Sequence, residues 1–250
     1  MHRFITPPEN CHEDWVELTG PEVHHLRNVL RVACGDRVEV LDGQGKCYTV
    51  EITELNSRRM RGNTLSMRQQ PPPPVRISMG LGILKHKAME TAIRKSVELG
   101  VDHITPLECR YSVPRIKSKE QQDRLEKWNR IAAEAVKQCG RFTVPRVGPT
   151  ETLEAYCQGR EQGVLKLFFW ENERTRKLND INVPEEVTSI AFLVGPEGGF
   201  SPEEAEQATR HGFVPVSLGP RTLRAETVPL VALTLLQYRG GDLASAHLPG

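Results

Sequence analysis

The chain has 250 residues, 38% hydrophobic and 26% charged, with a formal net charge of +1 at neutral pH. This is globular composition, long enough to bury a sizeable core. No apolar run approaches the roughly twenty residues that cross a bilayer, and Met1 to Pro8 lacks the apolar core and cleavage site of a secretion signal, so a cytoplasmic protein is expected. The six cysteines, at 11, 34, 47, 109, 139 and 157, form no Cys-x-x-Cys and have no histidine at metal-ligand spacing. They read as reduced packing residues, with no metal site. The small net charge hides an uneven distribution: residues 71–150 carry 15 basic against 8 acidic side chains, whereas residues 151–250 carry 9 against 14. A basic middle third suits contact with a polyanion.

In chain order, the first element is a short helix around His24 to Leu30. Val38 to Leu41 and Cys47 to Ile52 follow as alternating strands about the turn Asp42-Gly43-Gln44-Gly45, which is the grammar of a β-barrel or sandwich. The run Pro71 to Pro74 cannot enter a helix or a central strand. It divides the chain into residues 1–70, a linker at 71–74, and residues 75–250. Beyond it, strands and helices alternate: Val75 to Leu84, a helix from Lys87 to Leu99, Val101 to Pro106, a long helix from Lys119 to Cys139, then Val144 to Val147, a short helix near Glu151 to Cys157, and Leu165 to Trp170. Alternation of this kind predicts an α/β unit with a mainly parallel sheet.

Two strand–turn–helix units close the chain. Ser189 to Val194 reads as a buried strand, followed by Gly195-Pro196-Glu197-Gly198-Gly199-Phe200 and then Ser201-Pro202-Glu203-Glu204, a helix start with a serine cap. Val214 to Leu218 is a second strand, followed by Gly219-Pro220-Arg221-Thr222-Leu223-Arg224-Ala225-Glu226-Thr227 and an apolar helix from Val228 to Tyr238 that Thr227 is placed to cap. Turns at the same ends of neighbouring parallel strands make a ligand crevice. Neither a dinucleotide fingerprint nor a nucleoside-triphosphate loop is present.

The pair GPEGGFSPEE and SLGPRTLRAET resembles the signature of the small-subunit ribosomal RNA methyltransferase E family. These are enzymes of the SPOUT class that methylate uridine at N3 with S-adenosylmethionine. Lys85 with Met89-Glu90, Lys95 to Val101, and Glu134 to Arg141 look like that family's internal motifs, while Ala225 and Val228-Pro229 depart from it. The resemblance implies a PUA-like RNA-binding barrel in residues 1–70, and a SPOUT domain with a C-terminal trefoil knot in residues 75–250. General topology rules would never suggest that knot.

It further implies a cofactor site in three loops, Phe168 to Glu173, Leu193 to Phe200 and Ser217 to Leu223. Within them the expected S-adenosylmethionine contacts are Phe169, Trp170, Glu171, Leu193, Val194, Gly195, Pro196, Glu197, Gly198, Gly199, Ser217, Leu218, Gly219 and Leu223. Arg224 is the residue expected to stabilise the uracil anion, with Arg221 or Arg3 as helpers. Glu226 either accepts the N3 proton or orients Arg224. Arg3, Arg27, Arg31, Lys85, Arg110 and Arg141 are the expected RNA contacts. The implied substrate is a uridine of 16S ribosomal RNA within the small subunit, and the implied assembly is a homodimer through the C-terminal helix. Two alternatives stand beside this reading: a non-enzymatic RNA-binding module, and a methyltransferase of the same class acting on transfer RNA or another base.

Overall fold

Alternation before the proline run produces more strand than expected. The computed structural model describes residues 1–114, 116–159, 163–181 and 187–243. Its first sheet contains β1 (Arg3–Ile5), β2 (Trp15–Thr19), β3 (Arg37–Leu41), β4 (Lys46–Leu55) and β5 (Arg59–Gln69), in the order β1-β3-β4-β5-β2. The β1–β3 pairing is parallel and the others are antiparallel. The Thr6 hydroxyl donates to the carbonyl of Glu17 at 3.0 Å, tying the chain after β1 to the opposite edge strand. Inward residues Phe4, Val16, Leu18, Val38, Val40, Val50, Ile52 and Met60 share one core with Val23 and Leu26. The last two come from helix α1 (Pro21–His24) and the π-helical turn His25–Val29 that continues it. Full burial of each large apolar side chain contributes about 1.5–3 kcal/mol.

The chain divides into two compact units, residues 1–72 with 133–144, and residues 73–132 with 145–250. The second unit is built on a seven-stranded sheet. It contains β6 (Arg76–Gly82), helix α2 (His86–Glu98), β7 (His103–Glu108), the first part of helix α3 (Ser118–Cys139), β8 (Arg146–Val147), β9 (Glu151–Thr152), helix α4 (Leu153–Gln158), β10 (Leu165–Phe169), β11 (Ser189–Val194), helix α5 (Pro202–Arg210), β12 (Val214–Val216) and helix α6 (Val228–Gly240). The sheet order is β12-β10-β11-β6-β7-β8, with β9 also on β7, and every pairing is parallel. β10 therefore lies between β11 and β12, which brings the ends of three strands side by side.

Helical spacing explains the layers. On α2, Met89, Ala92, Ile93, Ser96 and Val97 are buried at intervals of three and four residues, one face of a 3.6-residue period. That helix packs on α6, which is apolar all round. Phe168, Leu193 and Phe200 join Tyr156, Ala205, Ala208 and Phe213 in a separate cluster beneath α4 and α5. None of the six cysteines forms a disulfide, and Cys47, Cys109 and Cys157 are buried. Burial raises the pKa of the Cys109 thiol, as expected for a packing residue. Among the described residues, no helix is long and apolar enough to cross a membrane.

Candidate functional site

The turn after β11 is fixed on every side. The Ser201 hydroxyl accepts from the Glu204 amide at 3.2 Å, and the Glu204 carboxylate accepts from the Ser201 amide at 2.8 Å, completing the capping box that starts α5. Phe200 is buried and meets Phe168 edge-on, with ring centroids 6.1 Å apart. The Glu197 carboxylate accepts from the Lys85 amide at 2.9 Å. Gly199 has φ +71°, and a Cβ built there would collide with Oε1 of Glu171. The left-handed backbone favours glycine here, and any side chain would also have to displace the exposed Glu171 carboxylate.

The other two turns are joined through their backbones. The Trp170 amide donates to Val216 at 3.3 Å and the Ser217 amide donates to Arg176 at 2.8 Å, while Lys177 and Ser217 form a parallel bridge. Within the 170–177 loop, one oxygen of Glu173 accepts from the Thr175 hydroxyl at 2.6 Å, the Thr175 amide at 2.7 Å and the Arg176 amide at 2.9 Å. These bonds, the Thr175 hydroxyl's first, lower the Glu173 pKa to about 2. The third turn is secured more lightly, by the Gly219 amide donating to the Ser217 hydroxyl at 3.2 Å. Thr227 occupies the N-cap position of α6 but makes no side-chain cap, contrary to expectation. Its own φ and ψ are already helical, so the hydroxyl is not turned toward the free amides.

All three turns line one cavity of about 590 Å³. Of the fourteen expected cofactor residues, Phe169, Trp170, Glu171, Val194 to Gly199, Ser217 to Gly219 and Leu223 line it. Leu193 does not, because its side chain is fully buried in the cluster beneath α4 and α5. Arg221 lines the cavity as well. Arg224 does not; its side chain is 86% exposed, and its guanidinium stands 4.0 Å from Glu226. Sequence reasoning missed Arg174 and Lys177, which also line the cavity. The run of bases directly after a strand end, Arg174-Thr175-Arg176-Lys177, was the available signal. The Trp170 indole nitrogen is buried and has no hydrogen-bond partner among the described residues.

The expected RNA contacts divide into engaged and open side chains. Arg3 is bound at 2.8 Å to Glu39 and donates to the Lys137 carbonyl at 3.2 Å. Arg110 pairs with Glu203 at 3.0 Å, while its amide donates to Glu204. Arg141 is partly buried. Arg27, Arg31 and Lys85 are exposed, and Arg31 holds a left-handed backbone at φ +54°. No group of three or more potential metal ligands occurs among the described residues.

Comparison with known proteins agrees with this architecture. The RNA methyltransferase domain family matches residues 71–237, and the RNA methyltransferase PUA domain family matches residues 18–62. The chain is 32% identical to the ribosomal RNA small subunit methyltransferase E of Buchnera aphidicola subsp. Schizaphis graminum, over 92% of each chain. Its structure is similar to that of a ribosomal RNA small subunit methyltransferase E from Neisseria gonorrhoeae bound to S-adenosylmethionine. There the TM-score is 0.88 and the identity 35%, covering 97% of this chain and 99% of that one. A Legionella pneumophila methyltransferase in complex with the same cofactor gives a TM-score of 0.87 at 31% identity, over 96% and 98% of the two chains.

Proposed function

Because the chain belongs to the ribosomal RNA small subunit methyltransferase E family, we propose that it transfers a methyl group from S-adenosylmethionine to N3 of one uridine in 16S ribosomal RNA. The observation that carries this reading is the cavity formed where β10, β11 and β12 end side by side. Its volume is ordinary for a cofactor site. Its walls are glycine turns that offer main-chain amides and carbonyls. These features fit S-adenosylmethionine, with the turns at 170–173, 194–199 and 217–223 holding it.

When bound, the cofactor supplies an electrophilic methyl group. The protein's task is then to present uracil N3 and to manage one proton. Arg224 stabilises the negative charge that develops on the uracil carbonyls as N3 loses its proton, with Arg221 on the cavity wall as helper. Glu226, 4.0 Å from Arg224, holds the guanidinium in place; the second reading makes it the base that takes the N3 proton. RNA outside the target nucleotide is gripped by the barrel of residues 1–70, where Arg27 and Arg31 are exposed.

Two finer features belong to the same proposal. The segment after β12 threads the loop after β10 as a trefoil knot, a reading that rests on the family resemblance; the two segments are neighbours through the Ser217–Arg176 bond and the Lys177 bridge. The protein works as a homodimer in the cytoplasm, on the small ribosomal subunit. Support for the dimer is the apolar surface around α6, where Tyr238 is 70% and Leu243 53% exposed.

The test is nucleoside analysis of transcribed 16S ribosomal RNA after incubation with the protein and S-adenosylmethionine. N3-methyluridine at one position is the expected product. Methylation of transfer RNA alone, or of another base, would replace the substrate assignment. Absence of cofactor binding by calorimetry would leave an RNA-binding module.

A further inference from the structure

The cavity is lined by three carboxylates, Glu171, Glu173 and Glu197, and by three cations, Arg174, Lys177 and Arg221. Opposite charges at this density usually pair, yet none of these cations forms an ion pair among the described residues. Two of the carboxylates are engaged elsewhere. Glu173 is bonded to the hydroxyl and amide of Thr175 and the amide of Arg176, and Glu197 accepts from the Lys85 amide. Glu171 lies against the backbone of Gly199. Glu173 and Glu197 thus secure the turns, while Glu171 is exposed and the three cations form no ion pair among the described residues.

The backbone carrying those bases is held in place. Ser217 donates to the Arg176 carbonyl, Lys177 bridges Ser217, and the Lys177 amide donates to Asp180 at 2.8 Å. Arg174 and Lys177 are exposed at their side chains while their main chain is anchored at both ends of the segment. Ordering such cations beforehand lowers the cost of gripping an anion. Guanidinium and ammonium groups presented together suit phosphate oxygens, the guanidinium in bidentate geometry.

We infer that Arg174, Lys177 and Arg221 form a phosphodiester-binding rim at the cavity mouth, which holds the RNA backbone beside the nucleotide being methylated. This rests on the reading of the chain as an RNA methyltransferase, and it adds a contact made by the catalytic unit itself. The rim assigns to the cavity's own turns a share of RNA affinity otherwise attributed to Arg3, Arg110 and Arg141. Arg3 and Arg110 are already bound to glutamates.

The experiment compares the full-length protein with the double variant Arg174→Gln/Lys177→Gln, and with the charge-preserving exchange Arg174→Lys/Lys177→Arg. Binding of transcribed 16S ribosomal RNA is measured between 50 and 200 mM salt, and S-adenosylmethionine binding by calorimetry. Each phosphate contact contributes about 0.7 to 0.9 to the slope of log affinity against log salt. The double variant should therefore lose about 1.5 from that slope, with RNA affinity falling about tenfold at the lower salt and cofactor affinity unchanged. The charge-preserving exchange should keep most of the slope.

An unchanged slope in the double variant overturns the inference. So does a loss of cofactor affinity with RNA binding intact, since that would assign the cations to the methionyl carboxylate. The underlying reading fails separately: wild-type protein that transfers no methyl group to the RNA sinks it, whatever the slopes show.

Discussion

The two glycine turns that end the chain share one grammar, strand then glycine then helix, and use it differently. The turn after β11 is a wall. Its phenylalanine is buried, its glutamate is bonded to Lys85, its serine begins a capped helix, and Gly199 holds a left-handed backbone against the Glu171 carboxylate. The turn after β12 is a display. A Cβ built on Gly219 meets nothing within 4 Å, Arg221 and Arg224 are exposed, and the following helix starts without a side-chain cap. Similar local sequence signals thus encode a fixed cavity wall in one place and a surface that presents charge in the other. Substitutions should separate them cleanly.

The largest effect is expected in the wall. Gly199→Arg puts a long side chain where the Glu171 carboxylate already lies, on a backbone at φ +71°. Cofactor affinity should fall at least a hundredfold, below detection by calorimetry, while the first unit keeps its melting transition. Unchanged affinity would move the cofactor away from this turn.

Next comes the display. Arg224→Ala should slow methyl transfer about a hundredfold with cofactor binding intact, because an oriented charge beside a developing anion is worth about 3 kcal/mol once water is excluded. The side chain is 86% exposed, so RNA must close over it for that value to be realised. Single-turnover transfer of labelled methyl tests this, and a wild-type rate would pass the role to Arg221. Glu226→Gln in the same assay distinguishes its two roles. A base requires a large loss that recovers as pH rises; an orienting residue requires a smaller loss that is nearly independent of pH.

Much of this contrast is legible in sequence because the glycine turns carry their own punctuation. Ser201-Pro202-Glu203-Glu204 specifies a capped helix from local chemistry alone, and that cap forms. The expectation for Thr227 rests on the same local rule, yet residues 225–227 already run in a helical turn that bonds back to Arg224. Tertiary placement overrode the cap. The strands β1, β2 and β5 are less readable. β1 is three residues long and pairs in parallel with a strand more than thirty residues away, and Gly62 interrupts the pattern of β5 where its backbone comes close to β4. No local motif marks Arg174 and Lys177, because their loop is placed by the pairing of Arg176 and Lys177 with Ser217, residues about forty positions apart.

A fourth substitution weakens the join between the regions. Glu173→Gln removes the charge that three donors stabilise in the 170–177 loop. The carboxylate's pKa is depressed from an ordinary value of 4.5 to about 2. Its stabilisation is therefore complete above the unfolded value and lost as pH falls from about 4.5 toward 2. Wild-type stability should decline across that window more steeply than that of the variant, and the variant's cofactor affinity at neutral pH should drop several-fold. Identical acid transitions in a pH-resolved melt would show that the loop does not depend on this group.

The smallest effect, and the finest test of the comparison, is a pair of alanines. Gly199 and Gly219 both have positive φ, +71° and +110°. Alanine carries a backbone penalty of about 1–2 kcal/mol in the left-handed well where Gly199 sits, and no smaller one at Gly219, whose φ lies beyond that well. The two variants differ in space, since only the methyl group introduced by Gly199→Ala would meet the Glu171 carboxylate. Gly219→Ala should lower the melting temperature by a few degrees and leave cofactor affinity within about threefold. Gly199→Ala should cost at least tenfold in affinity. Adding Glu171→Ala then decides the cause: if the collision is responsible, the double variant loses less than the sum of the two single losses. Strict additivity in that cycle, measured by calorimetry, would mean that Gly199 is required for its backbone conformation alone, and the steric half of the distinction between wall and display would fall.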